Sequence, residues 1–213
     1  MTLTGITQLL KSSEPTDLTK AAEYLRQGQL VVFPTDTVYG VGVSAFNPAA
    51  IDQLYAMKER PLSKGIPILI SHTTALSRIV THIPLEAMPL IHQFWPGPLT
   101  LILPRHPDLP ENISPNKNVA VRVPDHPVAR TLISAAGGAV ATSSANISGQ
   151  PPAQTAEDAL KQLEGRVAAI LDDGRSPGAL PSTILDLTTP KPKILRHGPV
   201  SAQTLSQFID LEL

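Results

Sequence analysis

The sequence predicts an α/β fold in which a twisted, mixed parallel and antiparallel sheet is flanked by helices. Short apolar runs alternate with amphipathic segments of helix length, and a crossover between parallel strands needs a connection of that length. The last two apolar runs have no such segment between them. They therefore indicate an antiparallel portion, so that the fold is not purely doubly wound.

We predict one domain over residues 1–213. No stretch rich in Gly, Ser or charge divides the chain, and no repeat of solenoid length recurs. The hydrophobic fraction of 42% is ordinary for a globular protein and the charged fraction of 16% is low. A sizeable core is therefore expected.

The first half of the chain opens with a helix predicted over residues 17–27. Thr16 or Asp17 serves as its N-cap, and Gly28 stops it. Apolar runs of strand length follow, separated by turn residues. The strands predicted here are residues 30–33, 38–43, 66–70 and 99–103.

The second helix begins at Asn47-Pro48, which has the form of an N-cap followed by proline in the first turn. It runs to Lys58 and ends before Pro61, because a residue preceding proline is pushed out of the helical region. Further helices are predicted near residues 74–80 and 85–94.

The second half continues the alternation. The strands predicted here are residues 119–123, 139–142, 167–171, 183–187 and 193–195. The helices predicted between and after them are residues 125–136, 156–163 and 202–209, the last two capped by Thr155 and Ser201.

Charge and composition exclude several classes of function. A formal charge of −1 gives no general attraction to nucleic acid or to anionic membranes, so an anion site must be a local cluster. Cysteine is absent, which excludes disulfides and thiolate metal sites. No secretory leader and no apolar run of membrane-spanning length is recognisable, so we expect a cytoplasmic protein with no membrane role.

Three polar motifs follow apolar runs. Residues 34–40, PTDTVYG, are either an ordinary β-turn or a hydroxyl-rich turn facing a ligand. Lys58, Arg60 and Lys64 follow a predicted helix end, where they either compensate the helix dipole or clamp a polyphosphate. Residues 142–149, TSSANISG, are either a plain connection or a ligand loop at a strand end.

Arg122 lies within a predicted apolar strand. A buried charge is costly unless it is paired. Pairing with an internal acid such as Asp36 or Asp172 and holding a substrate carboxylate are both consistent with this position.

No classical nucleotide loop, metal motif or hydrolase elbow is present in the sequence. The chain lacks a Walker motif, and its six histidines fall in no metal-ligand spacing. Binding of a nucleotide would therefore use another geometry.

Seven segments, taken in order, resemble the YrdC-like family. They are PTDTVYG (34–40), KERP (58–61), FWPGPLTLIL (94–103), VRVP (121–124), TSSANISG (142–149), PSTILD (181–186) and LRHGP (195–199). The resemblance implies a YrdC-like (RibB-like) α/β fold with a positive cavity. It further implies a short form of an L-threonylcarbamoyladenylate synthase, a nucleotidyltransferase that uses L-threonine, bicarbonate and ATP and releases pyrophosphate.

The resemblance also implies roles for individual residues. Lys58 and Arg60 would be catalytic and, at the solvent edge of the site, would hold the ATP phosphates. The other implied ATP ligands are Lys64, Ser144, Asn146 and Arg196. The implied threonine ligands are Thr37, Arg122, Thr142 and Ser182.

Chemistry of this kind needs charge neutralisation more than a protein nucleophile. Preplaced Lys and Arg, with Mg²⁺ bound through the ATP phosphates, would neutralise the leaving pyrophosphate. No residue is an obvious base for the threonine amine. Many relatives carry a His on the strand after KxRP, and here only His72 is nearby.

The implied partners are a downstream transferase complex that modifies tRNA and, as an alternative function, double-stranded RNA or tRNA itself. Steep salt dependence of RNA binding would mark that alternative. Its basic group would be Lys58, Arg60, Lys64, Lys191, Lys193 and Arg196. A paralogue with a changed substrate is the remaining alternative.

Overall fold

The computed structural model describes residues 5–178 and 180–212 and contains a ten-stranded sheet. Its strands are β1 (Gln8–Lys11), β2 (Val31–Phe33), β3 (Gly40–Ser44), β4 (Ile68–Ile70), β5 (Leu99–Pro104), β6 (Asn118–Arg122), β7 (Ala139–Ser144), β8 (Ala169–Asp172), β9 (Thr183–Asp186) and β10 (Lys193–Arg196). Its α-helices are α1 (Pro15–Arg26), α2 (Pro48–Lys58), α3 (Ala87–Phe94), α4 (Pro127–Ala135), α5 (Ala156–Leu163) and α6 (Ala202–Leu205).

The strand order is β1-β8-β2-β3-β7-β4-β6-β5-β9-β10. The pairs β1/β8, β2/β8, β4/β6 and β5/β9 are parallel, and the others are antiparallel. The mixed sheet predicted from the sequence is confirmed, including the antiparallel pairing of β9 with β10.

Helices cover both faces of the sheet. α1 and α4 pack on one face through an apolar cluster that includes Leu25, Leu132 and Phe33. The larger cluster on the other face collects the apolar side chains of α2, α3, α5 and α6. Neighbouring residues of one strand point to opposite faces, so Val31 joins the first cluster and Val32 the second.

Some elements differ from the sequence prediction. Strand β1 was not predicted, because of its four residues only Leu10 is buried and the alternation is too short to recognise. The segment near 74–80 is a 3-10 helix, Thr73–Arg78, rather than an α-helix. The last helix ends at Leu205, because the N–H groups of Gln207 and Phe208 bond to carbonyls three residues back.

No helix in the part of the chain that the structure describes is long and apolar enough to cross a membrane.

Candidate functional site

A cavity lies on the face that carries α1 and α4, over strands that these helices leave uncovered. Thr100, Arg122 and Thr142 point into it, because the residue before each of them points into the core on the other face. Its volume of about 140 Å³ is room for a small organic molecule rather than a single water. Its lining is Thr35, Thr37, Val38, Tyr39, Gly40, Arg60, Pro67, Leu69, Thr100, Arg122, Thr142, Ser143, Ser144, Pro181, Ser182 and Arg196.

The turn between β2 and β3 is closed by the side chain of Thr35. Its Oγ1 accepts the backbone N–H groups of Thr37 at 3.2 Å and Val38 at 3.3 Å. The same hydroxyl lies 2.6 Å from the Val38 carbonyl and donates to it. Threonine commonly closes loops in this way. The turn is therefore ordered by its own side chains, and it also lines the cavity.

Arg122 forms a buried ion pair with Asp36, one of the two acids considered from the sequence. Its Nη1 donates to Thr37 Oγ1 at 3.1 Å, and its Nε donates to the Gly97 carbonyl at 2.8 Å. Burial lowers the pKa of Arg122, and the Asp36 carboxylate opposes that shift. The ion pair and exposure to the cavity coexist, because Arg122 also belongs to the lining.

Arg60 enters the cavity because α2 ends two residues before it. Glu59 adopts a left-handed conformation with φ of 49°, which turns the chain away from the helix axis. The Arg60 Nε donates to the Lys64 carbonyl at 2.9 Å, and its Nη2 donates to the Gly65 carbonyl at 2.8 Å. Both partners are neutral, so they fix the guanidinium without cancelling its charge.

Arg196 stands on β10 and is fixed by Ser182. Its Nε donates to the Ser182 carbonyl at 2.9 Å and its Nη2 to the Ser182 hydroxyl at 3.0 Å. Burial lowers the pKa of Arg196, and the charges of Arg122 and Arg60 lower it further. The three guanidinium groups are therefore close enough to repel one another, and an anion in the cavity would relieve that repulsion.

Thr100 links strand β5 to the residue that precedes β9. Its hydroxyl lies 2.7 Å from that of Ser182, within hydrogen-bond distance. Both side chains are buried apart from the cavity. Thr142 Oγ1 donates instead to the Val140 carbonyl at 3.1 Å.

Lys58 does not lie at the solvent edge, where the sequence placed it, and that expectation was wrong. The side chain is buried at 3% exposure. Its ammonium group donates to the Ser144 carbonyl at 2.7 Å, to Asn146 Oδ1 at 3.1 Å and to the Asn146 carbonyl. Burial lowers its pKa to about 8.

The side chain of Asn146 likewise points away from the cavity. Its Nδ2 donates to the carbonyls of Ile147 and Gln150, each at 2.8 Å. Both Lys58 and Asn146 are therefore bonded within the wall behind Ser144, outside the cavity lining.

The remaining basic residues predicted from the sequence are dispersed. Lys64 is exposed and does not line the cavity. Lys191 pairs with Asp210 at 3.4 Å, and Lys193 pairs with Glu212 at 3.6 Å. Of the basic group considered for RNA binding, Arg60 and Arg196 are the members that line this cavity.

The structure brings together most of the predicted site residues. Those that line the cavity are Thr37, Arg60, Arg122, Thr142, Ser144, Ser182 and Arg196. Thr35 lies in the turn predicted to face a ligand but was assigned no role of its own, and Thr100 was not singled out. A polar residue within the apolar run 99–103 was the available signal for Thr100. His72 is exposed, accepts the Thr74 N–H at 3.2 Å and lies outside the lining.

No group of three or more His, Asp or Glu side chains suited to a metal ion occurs within residues 5–178 and 180–212. The described lining of the cavity contains no carboxylate. Its guanidinium and hydroxyl groups suit anions and polar organic groups rather than a bare cation.

Comparison with known proteins gives a consistent set of relatives. The model of the Sua5/YciO/YrdC family, described as "Telomere recombination", matches residues 23–198. The "Threonylcarbamoyl-AMP synthase" of Bacillus subtilis is 37% identical over 206 residues, which cover 96% of this chain and 59% of that protein. The "Putative threonylcarbamoyl-AMP synthase" of Mycobacterium tuberculosis H37Rv is 39% identical over 196 residues, covering 92% of this chain and 90% of that protein.

A solved structure shows the same architecture with a bound amino acid. The crystal structure of Sua5 from P. abyssi complexed with L-threonine superposes with a TM-score of 0.91 at 34% identity. The match covers 98% of this chain and 63% of that one. The chain thus spans less than two thirds of this protein and of the B. subtilis relative.

Proposed function

The chain belongs to the Sua5/YciO/YrdC family, and from its cavity we propose that it is an L-threonylcarbamoyladenylate synthase. It would join L-threonine, bicarbonate and ATP into threonylcarbamoyl-AMP with release of pyrophosphate. One observation carries the proposal: Arg122, whose charge is compensated by Asp36 behind the wall, shares a small hydroxyl-lined cavity with two further arginines. Among the described residues, neither of those two arginines lies within ion-pair distance of an acid.

The phosphates of ATP would bind at the end of the cavity formed by Arg60 and Arg196. Both guanidinium groups bond only to neutral oxygen atoms and keep their full charge. Guanidinium groups bind phosphate oxygens in a fork geometry. Ser144 would add a hydroxyl from the neighbouring wall, and Lys64 would reach the phosphates from the exposed loop.

Lys58 and Asn146 would contribute from behind this wall. They hold the segment that carries Ser144, and the Lys58 charge adds to the positive field of the site. Lys58 and Arg60 are thus proposed to stabilise the leaving pyrophosphate, the first at a distance and the second by contact.

L-Threonine, and the carbamate formed from it, would bind at the other end. Thr37, Arg122, Thr142 and Ser182 line the cavity and would be its ligands, with Ser182 beside Arg196 at the boundary between the two ends, and they offer hydroxyl donors and a guanidinium. The apolar side chains of Val38 and Leu69 line the same cavity. The relative from P. abyssi with bound L-threonine supports this proposal.

Mg²⁺ would enter with ATP. The described lining has no carboxylate to hold the ion alone, so the phosphates would be its ligands. It would supply additional charge neutralisation at the phosphates. The residues of this chain would align the carbamate oxygen with the α-phosphate and fix the departing pyrophosphate.

We further propose that the product feeds a transferase complex that modifies tRNA, that the chain acts in the cytoplasm, and that it forms one domain. The relatives' names support the first point. The absence of a spanning helix among the described residues is compatible with the second. The continuous sheet supports the third.

The test is pyrophosphate release from ATP, Mg²⁺ and bicarbonate by purified protein, with and without L-threonine. Threonine-dependent release, together with a product of the mass of threonylcarbamoyl-AMP, is expected. D-Threonine serves as the matched control for a stereospecific pocket. A folded protein that releases no pyrophosphate under these conditions would overturn the proposal.

A further inference from the structure

The guanidinium of Arg122 is held on three sides. Its Nε donates to the Gly97 carbonyl at 2.8 Å, its Nη1 to Thr37 Oγ1 at 3.1 Å, and its Nη2 to the carboxylate of Asp36. An arginine has one N–H on Nε and two on each terminal nitrogen. One N–H on each terminal nitrogen therefore remains for a ligand.

Asp36 acts from outside the cavity. Arg122 lines the cavity, whereas Asp36 does not. The side chains of both are largely buried, at 6% and 10% exposure, so their interaction is only weakly screened by solvent. Asp36 can therefore influence a bound molecule through Arg122 and through its own charge.

The other two arginines of the cavity provide the contrast. Arg60 bonds to the carbonyls of Lys64 and Gly65, and Arg196 to the carbonyl and hydroxyl of Ser182. These partners carry no charge. The same cavity therefore presents one guanidinium whose charge is compensated and two whose charge is not.

We propose that Asp36 is a positioning and specificity-determining residue, which aims the two free N–H groups of Arg122 at the carboxylate of an amino acid and excludes phosphate from that end. This role of Asp36 rests on the proposed function, and it assigns each substrate to one end of the cavity. A zwitterionic amino acid has no net charge and tolerates the nearby Asp36 carboxylate. A phosphate group carries more negative charge and is repelled by it, so it binds at Arg60 and Arg196.

The experiment compares Asp36→Asn, Asp36→Glu and wild type by calorimetric titration with inorganic pyrophosphate and with L-threonine, and by steady-state kinetics. Asn keeps an oxygen for Arg122 Nη2 but removes the charge. We expect Asp36→Asn to bind pyrophosphate about tenfold more tightly, because a repelling charge is removed. Because a neutral amide holds the Arg122 guanidinium less firmly than a carboxylate, we also expect the KM for threonine to rise about tenfold, with the KM for ATP little changed. Asp36→Glu keeps the charge and should retain weak binding of pyrophosphate.

Asp125→Asn is the matched control, because Asp125 is an exposed acid near His126 that does not line the cavity. This variant should leave the affinities for pyrophosphate and L-threonine, and the KM values for threonine and ATP, unchanged. Unaltered affinities for pyrophosphate and threonine in folded Asp36→Asn would overturn the proposal, and so would equal tightening of pyrophosphate binding in the control. If wild type releases no pyrophosphate in the presence of threonine, the proposed function fails. The role of Asp36 is then decided by the pyrophosphate titration alone, which needs no turnover.

Discussion

Lys58 donates a hydrogen bond to the side-chain oxygen of Asn146 over 3.1 Å and thereby joins the end of α2 to the segment after β7. The Ser148 hydroxyl completes this connection by donating to the Lys58 carbonyl. Arg60 follows on one side of the connection and Ser144 stands on the other, and both line the cavity. The relative position of these two walls therefore depends on a buried ammonium group.

Replacing Lys58 with Met should remove a pH dependence of stability. The pKa of Lys58 is lowered from 10.5 to about 8 in the folded protein, so between these values the unfolded chain binds a proton that the folded chain has released. The free energy of unfolding therefore rises with pH above 8, by up to about 1.4 kcal/mol per pH unit. Below pH 8 the Lys58 ammonium is charged in both states, and the folded protein bears the full cost of burying that charge.

Urea unfolding at several pH values between 8 and 10 tests this, with wild type and Lys58→Met measured side by side. The window ends near 10, because Tyr39, whose pKa burial raises to about 12, contributes stability that is lost at higher pH. Wild type should gain stability relative to the variant across the window. Parallel curves for the two proteins would contradict the lowered pKa.

Arg60→Ala should abolish catalysis while preserving the fold. Its guanidinium bonds only to two carbonyls of a nearby loop, so its loss should shift the melting temperature little. Loss of a charge beside the leaving pyrophosphate should lower kcat/KM at least about a hundredfold. Lys20→Ala, which removes an exposed cation from α1, is the control and should behave as wild type. Normal turnover by Arg60→Ala would show that Arg60 does not take part in catalysis.

Thr100→Val and Ser182→Ala should each raise the KM for threonine, and the effect of Ser182→Ala should be at least as large, because it also removes a hydrogen bond from Arg196. The two hydroxyls lie 2.7 Å apart in the cavity wall, so removing either one leaves the other without this partner. We expect each change to raise the KM for threonine about tenfold. The double variant should raise it little more, since the two hydroxyls act as a unit. Kinetics of the four proteins in a double-mutant cycle provide the measurement. Strictly additive effects would show that the hydroxyls act independently.

Gly178→Ala should impair the site more than it impairs the fold. A methyl group at this position would lie 2.6 Å from the Asp36 carbonyl oxygen and 2.8 Å from Thr37 Cα. The segment would have to move away from the turn between β2 and β3, at a cost of about 1–3 kcal/mol. Gly5→Ala is the control, because no atom of the residues that the structure describes lies within 4 Å of the added carbon. Turnover and thermal unfolding of both variants test this; full activity of Gly178→Ala would contradict the close packing.

Much of the fold could be predicted because local patterns specify it. Asn47 caps α2 by accepting the Ala50 N–H, and Thr155 caps α5 in the same way at Asp158, as the cap residues indicated. The unpredicted strand β1 shows the limit of this reasoning. It is an edge strand whose pairing with β8 is set by residues about 160 positions away.

The sequence by itself determined the alternation of helices and strands, the mixed character of the sheet and the motifs from which the site is built. These follow from periodicity, caps and turn residues, which act over a few neighbouring positions. Only the tertiary structure decided which basic residues face the cavity. Arg60 and Arg196 point into it, whereas Lys58, two residues from Arg60, is buried behind it. The physical reason is that a buried ammonium needs acceptors, and those of Lys58 come from Ser144 and Asn146, which the folding of distant strands brings to it.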